Sequence, residues 1–485
     1  MFSTKIVASV PVEIWHQCWE LTQHADLKVL SRTCHLFRDI CLPLLFTNLS
    51  HELTVQHLRW PYWEFSSVTM LRYSMNIKRI AASSKLAALP RRWQVSDMGS
   101  FDTDVPDENH KLLNISQEIY RESVSLALPA FTGLRGIEIS GIGIGEDILN
   151  ALNKLPALES LTCKFTKFSC YSITPLLRVR EFTLIHSGGL IDTSLDIVSS
   201  NFLERLTLEH YYIGSILKSL YNQGPYHYIS DLSLGGHYSD IPTLFDFFQL
   251  CPQLRNLVLS YFDTTVSMDL PCLHTSVIPH LQSFSGDQCL AKAIIPGHPV
   301  EIVSIQQRKS IDTQEVVMIL KSISQSTLPI RSLCLSSMWT DPMIITFIRE
   351  YFPYITYLRL AFITRFQDSY ALPRPVVSIF DPVITQDEAG GNPANSPYTF
   401  VGFMDMLCLD KISLPSAIQE IQILLGGTSG KLTTLQYRSY FTKLSDLYPS
   451  LTIVVLDKNY WVKQSNGHWV DVERQDGRLS QFVRE

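Results

Sequence analysis

Glycine clusters, histidines, cysteines and paired carboxylates are the chemistry-bearing groups this sequence offers, and their spacing decides what they could do. Gly141, Gly143 and Gly145 stand in a Gly-Ile-Gly-Ile-Gly run, where bare backbone N–H groups could approach an anion. The run has neither G-x-G-x-x-G spacing nor G-K-[ST], and it directly follows a recurring apolar motif, which predicts a turn. Gly426-Gly427-Thr428-Ser429-Gly430 follows another copy of that motif and reads the same way. None of the 14 histidines stands in H-E-x-x-H or in a finger spacing with cysteine, so no metal site is expected. The 10 cysteines are scattered without a C-x-x-C pair or a protease context, and no G-x-S-x-G elbow occurs. Glu146-Asp147 and Asp387-Glu388 read as a helix start and a solvated loop. The expectation is a non-enzymatic protein with no catalytic residue, metal or cofactor, and binding as its remaining chemistry.

A binding surface follows from a repeat. The pattern apolar-x-x-apolar-x-apolar recurs as Leu134/Ile137/Ile139, Leu158/Leu161/Cys163, Val179/Phe182/Leu184, Leu203/Leu206/Leu208, Ile229/Leu232/Leu234 and Leu254/Leu257/Leu259. A degenerate copy, Leu281/Phe284, precedes Val300/Val303/Ile305, Ile330/Leu333/Leu335, Ile355/Leu358/Leu360, Ile418/Ile421/Ile423 and Leu451/Val454/Leu456. Side chains alternate along a strand, so the residues between these apolar positions point away from the core. Their larger polar members are Glu181, Arg205, Glu209, Asp231, Asn256, Tyr357, Arg359 and Glu420, the candidate contacts for a protein cargo. Thr162, Thr183, Thr207, Ser233 and Ser285 among them are small and leave room for a partner.

Helical patterns between the motif copies must position those strands. Ile148, Leu149, Leu152 and Leu155 form one stripe that stops at Pro156, and Ile241 to Leu250 does the same before Pro252. Asp341-Pro342 predicts a capped helix start, with Ile344, Ile345, Phe347, Ile348 and Tyr351 as its buried face. Successive motif starts from Leu134 to Leu281 lie 21 to 27 residues apart, near the leucine-rich-repeat period of about 20 to 29. The chain therefore resembles a leucine-rich-repeat solenoid, an α/β fold with parallel strands on the concave side and helices on the convex side. It departs from the regular type because Thr166, Ser187, Tyr211, His237 and Phe262 stand where an asparagine ladder would run. The resemblance implies an irregular horseshoe.

Length and composition bound the reading. The 485 residues suffice for two or three domains or one long array, and a 46% hydrophobic fraction is that of an ordered protein. A formal net charge of -6 with interspersed signs points to neither nucleic acid nor an anionic membrane. The start makes a poor signal peptide, no window approaches the roughly 18 apolar residues of a membrane helix, and the cysteine usage suits reduced thiols. A cytoplasmic or nuclear location is expected.

The first fifty residues have a different pattern. Pro11 and Glu13 suit a helix start, followed by the stripe Ile14, Trp15, Cys18, Trp19 and Leu21. Asp26 is a plausible N-cap for a second helix with the stripe Leu27, Leu30, Cys34, Phe37 and Ile40, and Pro43 opens a third, shorter piece, Leu44 to Phe46. Val10, Pro11, Glu13, then Asp26-Leu27, then Leu30, Ser31, Cys34, Phe37 and Arg38, then Pro43 to Phe46 resemble the F-box. Val10 stands where leucine is commoner. The resemblance implies a three-helix module that docks on a Skp-type adaptor, and through it on the cullin and RING subunits of a ubiquitin ligase. It gives the adaptor contacts to Pro11, Ile14, Trp15, Leu27, Leu30, Cys34, Phe37, Pro43, Leu44 and Phe46, although some of these must pack the module itself.

The expected organisation is an F-box over residues 1–50, a helical and aromatic bridge over 51–89, the solenoid over 90–457 and a C-terminal cap and tail over 458–485. A loop insertion at about 362–414 includes the Gly- and Pro-rich run 385–397, and Trp461 and Trp469 cap the array. The combination is similar to the F-box families of basidiomycete fungi. The alternative is a repeat scaffold that binds proteins independently of any ligase.

Overall fold

A computed structural model of the chain describes residues 11–51, 62–96, 107–166, 168, 172–185, 196–210, 213–236, 241–260, 270–306, 313–338, 341–363, 400–426, 433–457 and 459–472. The chain divides into two compact units, Met1–Pro252 and Gln253–Glu485.

The first unit begins with α1 (Val12–Glu20), α2 (His24–Leu30) and α3 (His35–Thr47). Their boundaries differ from the sequence expectation. Gln23, not Asp26, is the N-cap of α2, and Asp26 lies in its first turn, where its charge suits the helix dipole. The continuous stripe expected from Leu27 to Ile40 is broken because the hydroxyls of Ser31 and Thr33 donate back to the carbonyls of Lys28 and Leu30, closing the turn. Cys34 then caps α3, its sulfur accepting from the Phe37 N–H at 3.4 Å. Pro43 opens no separate helix but sits within α3, which continues to Thr47.

The strands follow: β1 (Asn48–His51), β2 (Arg92–Ser96), β3 (Gly136–Ser140) and β4 (Ser160–Lys164), then β5 (Ser172–Leu177), β6 (Glu181–Ile185) and β7 (Asp196–Val198), then β8 (Arg205–Glu209) and β9 (Asp231–Gly235). Helices α4 (Tyr62–Ala81), α5 (Ser84–Ala87), α6 (Asp107–Ala127), α7 (Glu146–Asn153), α8 (Ile213–Tyr221) and α9 (Ile241–Gln249) lie between and after them. Strands pair in the order β1-β2-β3-β4-β6-β8-β9, all parallel, while β5 and β7 form a separate pair. Each motif copy from Leu134 to Leu234 supplies one strand, with its apolar residues buried. Close approach between copies leaves no room for a side chain at Gly236, whose φ is +149° and whose Cβ would lie 2.0 Å from the His210 carbonyl oxygen.

The second unit contains β10 (Asn256–Ser260), β11 (Ser283–Gly286), β12 (Ile302–Ile305), β13 (Ser332–Met338), β14 (Tyr357–Ile363), β15 (Glu420–Gly426) and β16 (Ile453–Leu456) in a parallel sheet. An antiparallel hairpin, β17 (Asn459–Lys463) and β18 (Trp469–Asp471), is added to β16. The helices are α10 (Gln288–Ile294), α11 (Thr313–Ile323), α12 (Met343–Tyr351), α13 (Phe400–Cys408) and α14 (Thr434–Leu447). Pro342, not Asp341, is the N-cap of α12, and the Asp341 carboxylate just before it accepts from the Met343 N–H at 2.9 Å. Trp461 is buried and stacks on Phe441 of α14 at 4.8 Å, and Trp469 meets the same ring edge-on at 5.1 Å. The expected 385–397 loop lies outside the described residues.

At the end of β1, His51 ties several elements of the first unit together. Its ring is buried, Nδ1 accepts from the Trp93 Nε1–H at 2.9 Å, and Tyr73 of α4 meets it edge-on at 5.1 Å. Its carbonyl oxygen accepts from the Tyr120 hydroxyl of α6 at 3.4 Å. Burial lowers the imidazole pKa from 6.5 to about 4. The folded chain therefore binds fewer protons than the unfolded chain between those values, so the stability is complete above pH 6.5 and is lost as pH falls toward 4. Denaturant titrations between neutral pH and pH 4 should show a His51-dependent loss on the order of 3 kcal/mol, and His51→Gln should flatten that dependence.

Candidate functional site

Two surfaces carry the candidate residues. On the N-terminal helices a small core holds Trp19, Leu27, Ile40 and Cys41, with Trp15, Leu30, Phe37, Leu44 and Leu45 packed half-buried against it. Phe37 lies edge-on to Trp19 at 4.6 Å and tilted against Trp15 at 5.3 Å, so the aromatic trio joins α1 to α3. Trp15, Leu27, Leu30, Phe37 and Leu44 are therefore engaged in the module's own packing. Pro11, Ile14 and Cys34 are exposed, and Pro43 and Phe46 are half-buried in α3. The exposed apolar side chains include four outside the expected adaptor contacts, Val12, Leu21, Val29 and Leu36, of which Leu21 is 90% and Val29 62% exposed. Their signal is positional, since Val29 is two residues from Leu27 and falls off its helix face, and Leu21 follows the last residue of α1.

The second surface is the open side of the strands. In the first unit, Thr162, Thr183, Thr207 and Ser233 lie in register across β4, β6, β8 and β9, a narrow row of small hydroxyl side chains. Glu181, Arg205 and Asp231 form the line before it, and Glu209 belongs to the line after it. Arg205 pairs with Glu181, and the Ser230 hydroxyl donates to Asp231. Glu138 and Lys164, absent from the candidate set, pair across β3 and β4 at 2.7 Å. Alternation would have found both, because each stands between or just after motif positions.

In the second unit Asn256, Tyr357, Arg359 and Glu420 occupy the corresponding side of β10, β14 and β15. Tyr357 lies opposite Glu420, and Arg359 opposite Gln422. Burial raises the Glu420 pKa, while the Gln422 amide, donating to its carboxylate at 2.7 Å, acts in the other direction. Burial also raises the Tyr357 phenol, assisted by Cys334 and Glu420, so the phenol stays a neutral hydrogen-bonding group. Gln422 and Tyr460 on this side were not among the candidates, although alternation places Gln422, between Ile421 and Ile423, as it does Arg359.

Gly141, at φ +74°, gives its N–H to the Lys164 carbonyl at 2.9 Å, and Gly145, in extended conformation, is the N-cap of α7, so the glycine run connects β3 to α7. Burial raises the thiols of Cys163 and Cys251, opposing thiolate formation. Among the described residues, no group of three or more His, Cys, Asp or Glu is arranged to hold a metal, and no helix is long and apolar enough to cross a membrane.

No family model matches the sequence, and no curated protein matches it. Among solved structures the chain is similar to an internalin from Listeria monocytogenes at 12% identity and a TM-score of 0.27, over 59% of this chain and 88% of that one, too loose a superposition to bear on the function.

The division between packed and exposed apolar residues is measurable by hydrogen exchange across Val12–Thr47 in the full chain. Phe37→Ala should lower the protection of all three helices by about 3 kcal/mol, whereas Leu21→Ser should change it by no more than about 0.5 kcal/mol.

Proposed function

We propose that this chain is a non-catalytic receptor subunit of a cullin-RING ubiquitin ligase, cytoplasmic or nuclear, that docks on a Skp-type adaptor through Val12–Thr47 and holds a protein cargo on the open strand face. Its contribution to ubiquitin transfer is proximity, raising the local concentration of a cargo lysine beside the conjugating enzyme. Support comes first from the order and spacing of the F-box-like residues Pro11 to Phe46. The observation that carries the reading is the exposed set Val12, Ile14, Leu21, Val29 and Leu36, since a helical module this small offers water more apolar surface than its own folding requires. The repeated strand and helix units, with polar and small side chains on their open side, suit leucine-rich-repeat recognition of proteins.

A second reading has its own observation. Trp15, Leu27, Leu30, Phe37 and Leu44, which the F-box resemblance gives to the adaptor, also pack against the module's own core. That favours a scaffold that binds proteins through its strand face without any ligase.

Co-purification of the full chain with a Skp-type adaptor separates the two. Ile14→Asp and Leu36→Asp place a charge on exposed sites, so the fold should persist by circular dichroism while adaptor retention falls at least about tenfold. Retention by both folded variants would move the contact elsewhere, and failure of the native chain to bind would leave the scaffold.

A further inference from the structure

Charge is handled differently on the two open strand faces. Lys164 and Arg205, the cations on the open side of β3 to β9, are each neutralised by a carboxylate on an adjoining strand. Arg359 is an exposed residue on the open side of β14, and among the described residues no carboxylate pairs with it. Glu420 lies only diagonally from Arg359, opposite Tyr357, and its carboxylate is held by Gln422. An exposed arginine flanked across the sheet by Cys334 and Gln422 offers a planar donor fork to an incoming acid.

The neighbouring strands supply an apolar continuation. Tyr357, Glu420, Ile453, Val462 and Val470 lie in one line across β14 to β18, and Val470 is 37% exposed. Strands are about 4.8 Å apart, so this aliphatic row starts about 10 Å from the strand that carries Arg359 and ends about 19 Å from it. A segment lying across the strands in an extended form advances about 3.3 Å per residue, and therefore spans that interval in about three to six residues.

We infer that this part of the strand face takes an extended cargo segment with an Asp or Glu on Arg359 and aliphatic residues about three to six positions away on Ile453, Val462 and Val470. The inference rests on the strand face being the cargo surface and is independent of adaptor docking. Glu420 beside the arginine disfavours a doubly charged phosphate and leaves the single charge of a carboxylate as the better match.

The test pans a phage library of random dodecapeptides against the purified full chain and measures an enriched peptide by fluorescence anisotropy. Enriched sequences should carry an acid about three to six residues from an aliphatic pair. Arg359→Ala and Val470→Asp should each weaken binding about tenfold or more, while Arg331→Ala, whose guanidinium pairs with Glu301 off this line, should not. Arg359→Glu should bind the peptide whose acid is replaced by lysine, which a merely misfolded variant would not do. Failure to enrich any peptide, enrichment without an acid, or binding indifferent to Arg359 would overturn the inference. So would a concentration-dependent dimer abolished by Val470→Asp, which would assign the row to a second copy of the chain. Adaptor capture in the same preparations fails or succeeds on its own, so loss of the ligase reading and loss of this one are told apart.

Discussion

Everything on the open strand faces depends on register. A parallel strand that slips by one residue turns every side chain over, which would exchange the buried and exposed sets at a stroke. The chain prevents this by aligning apolar residues row by row. Ile139, Cys163, Leu184, Leu208 and Leu234 lie opposite one another in the first unit, and Phe284, Val303, Leu333, Leu358, Ile421 and Val454 do so in the second. All of them are buried. No single strand could bury its row alone, so each copy is stable only against its neighbours, and the polar residues between are delivered to the other side in equally strict lines.

The N-terminal helices solve a different problem with fewer resources. Their core consists of a handful of side chains, and the aromatic contacts among Trp15, Trp19 and Phe37 supply much of its contact area. Using the best-placed apolar residues internally leaves the poorly placed ones outside. A residue can thus match a recognition motif and still spend its surface on the fold, because both demands select for large apolar side chains.

The strands were legible because their signal repeats: every motif copy, including the degenerate Leu281/Phe284, became a strand of a parallel sheet. Helices α7, α9 and α12 were legible through their stripes and flanking prolines or caps. β1 was not, since Asn48–His51 has only Leu49 as an aliphatic residue and becomes a strand by pairing with β2. Nor was the division between α2 and α3, which hydroxyl-to-backbone bonds impose across an otherwise continuous apolar stripe. The position of the candidate residues on the open side of the strands was legible because alternation alone places them. What a sequence could not convey was which charges neutralise one another, and that depends on which strands become neighbours.

The hairpin β17–β18 has a consequence for how the protein lives at high concentration. The outer edge of β16 is a row of backbone donors and acceptors of the kind that templates further strands. A chain that ended its sheet there would invite end-to-end addition and grow into fibres. Reversal of direction after Asp457, at φ +55°, fills that edge with an antiparallel strand and makes β18, only 3 residues long and ending in Asp471, the outermost strand at that end among the described residues. So short an edge is a poor seed for further strands.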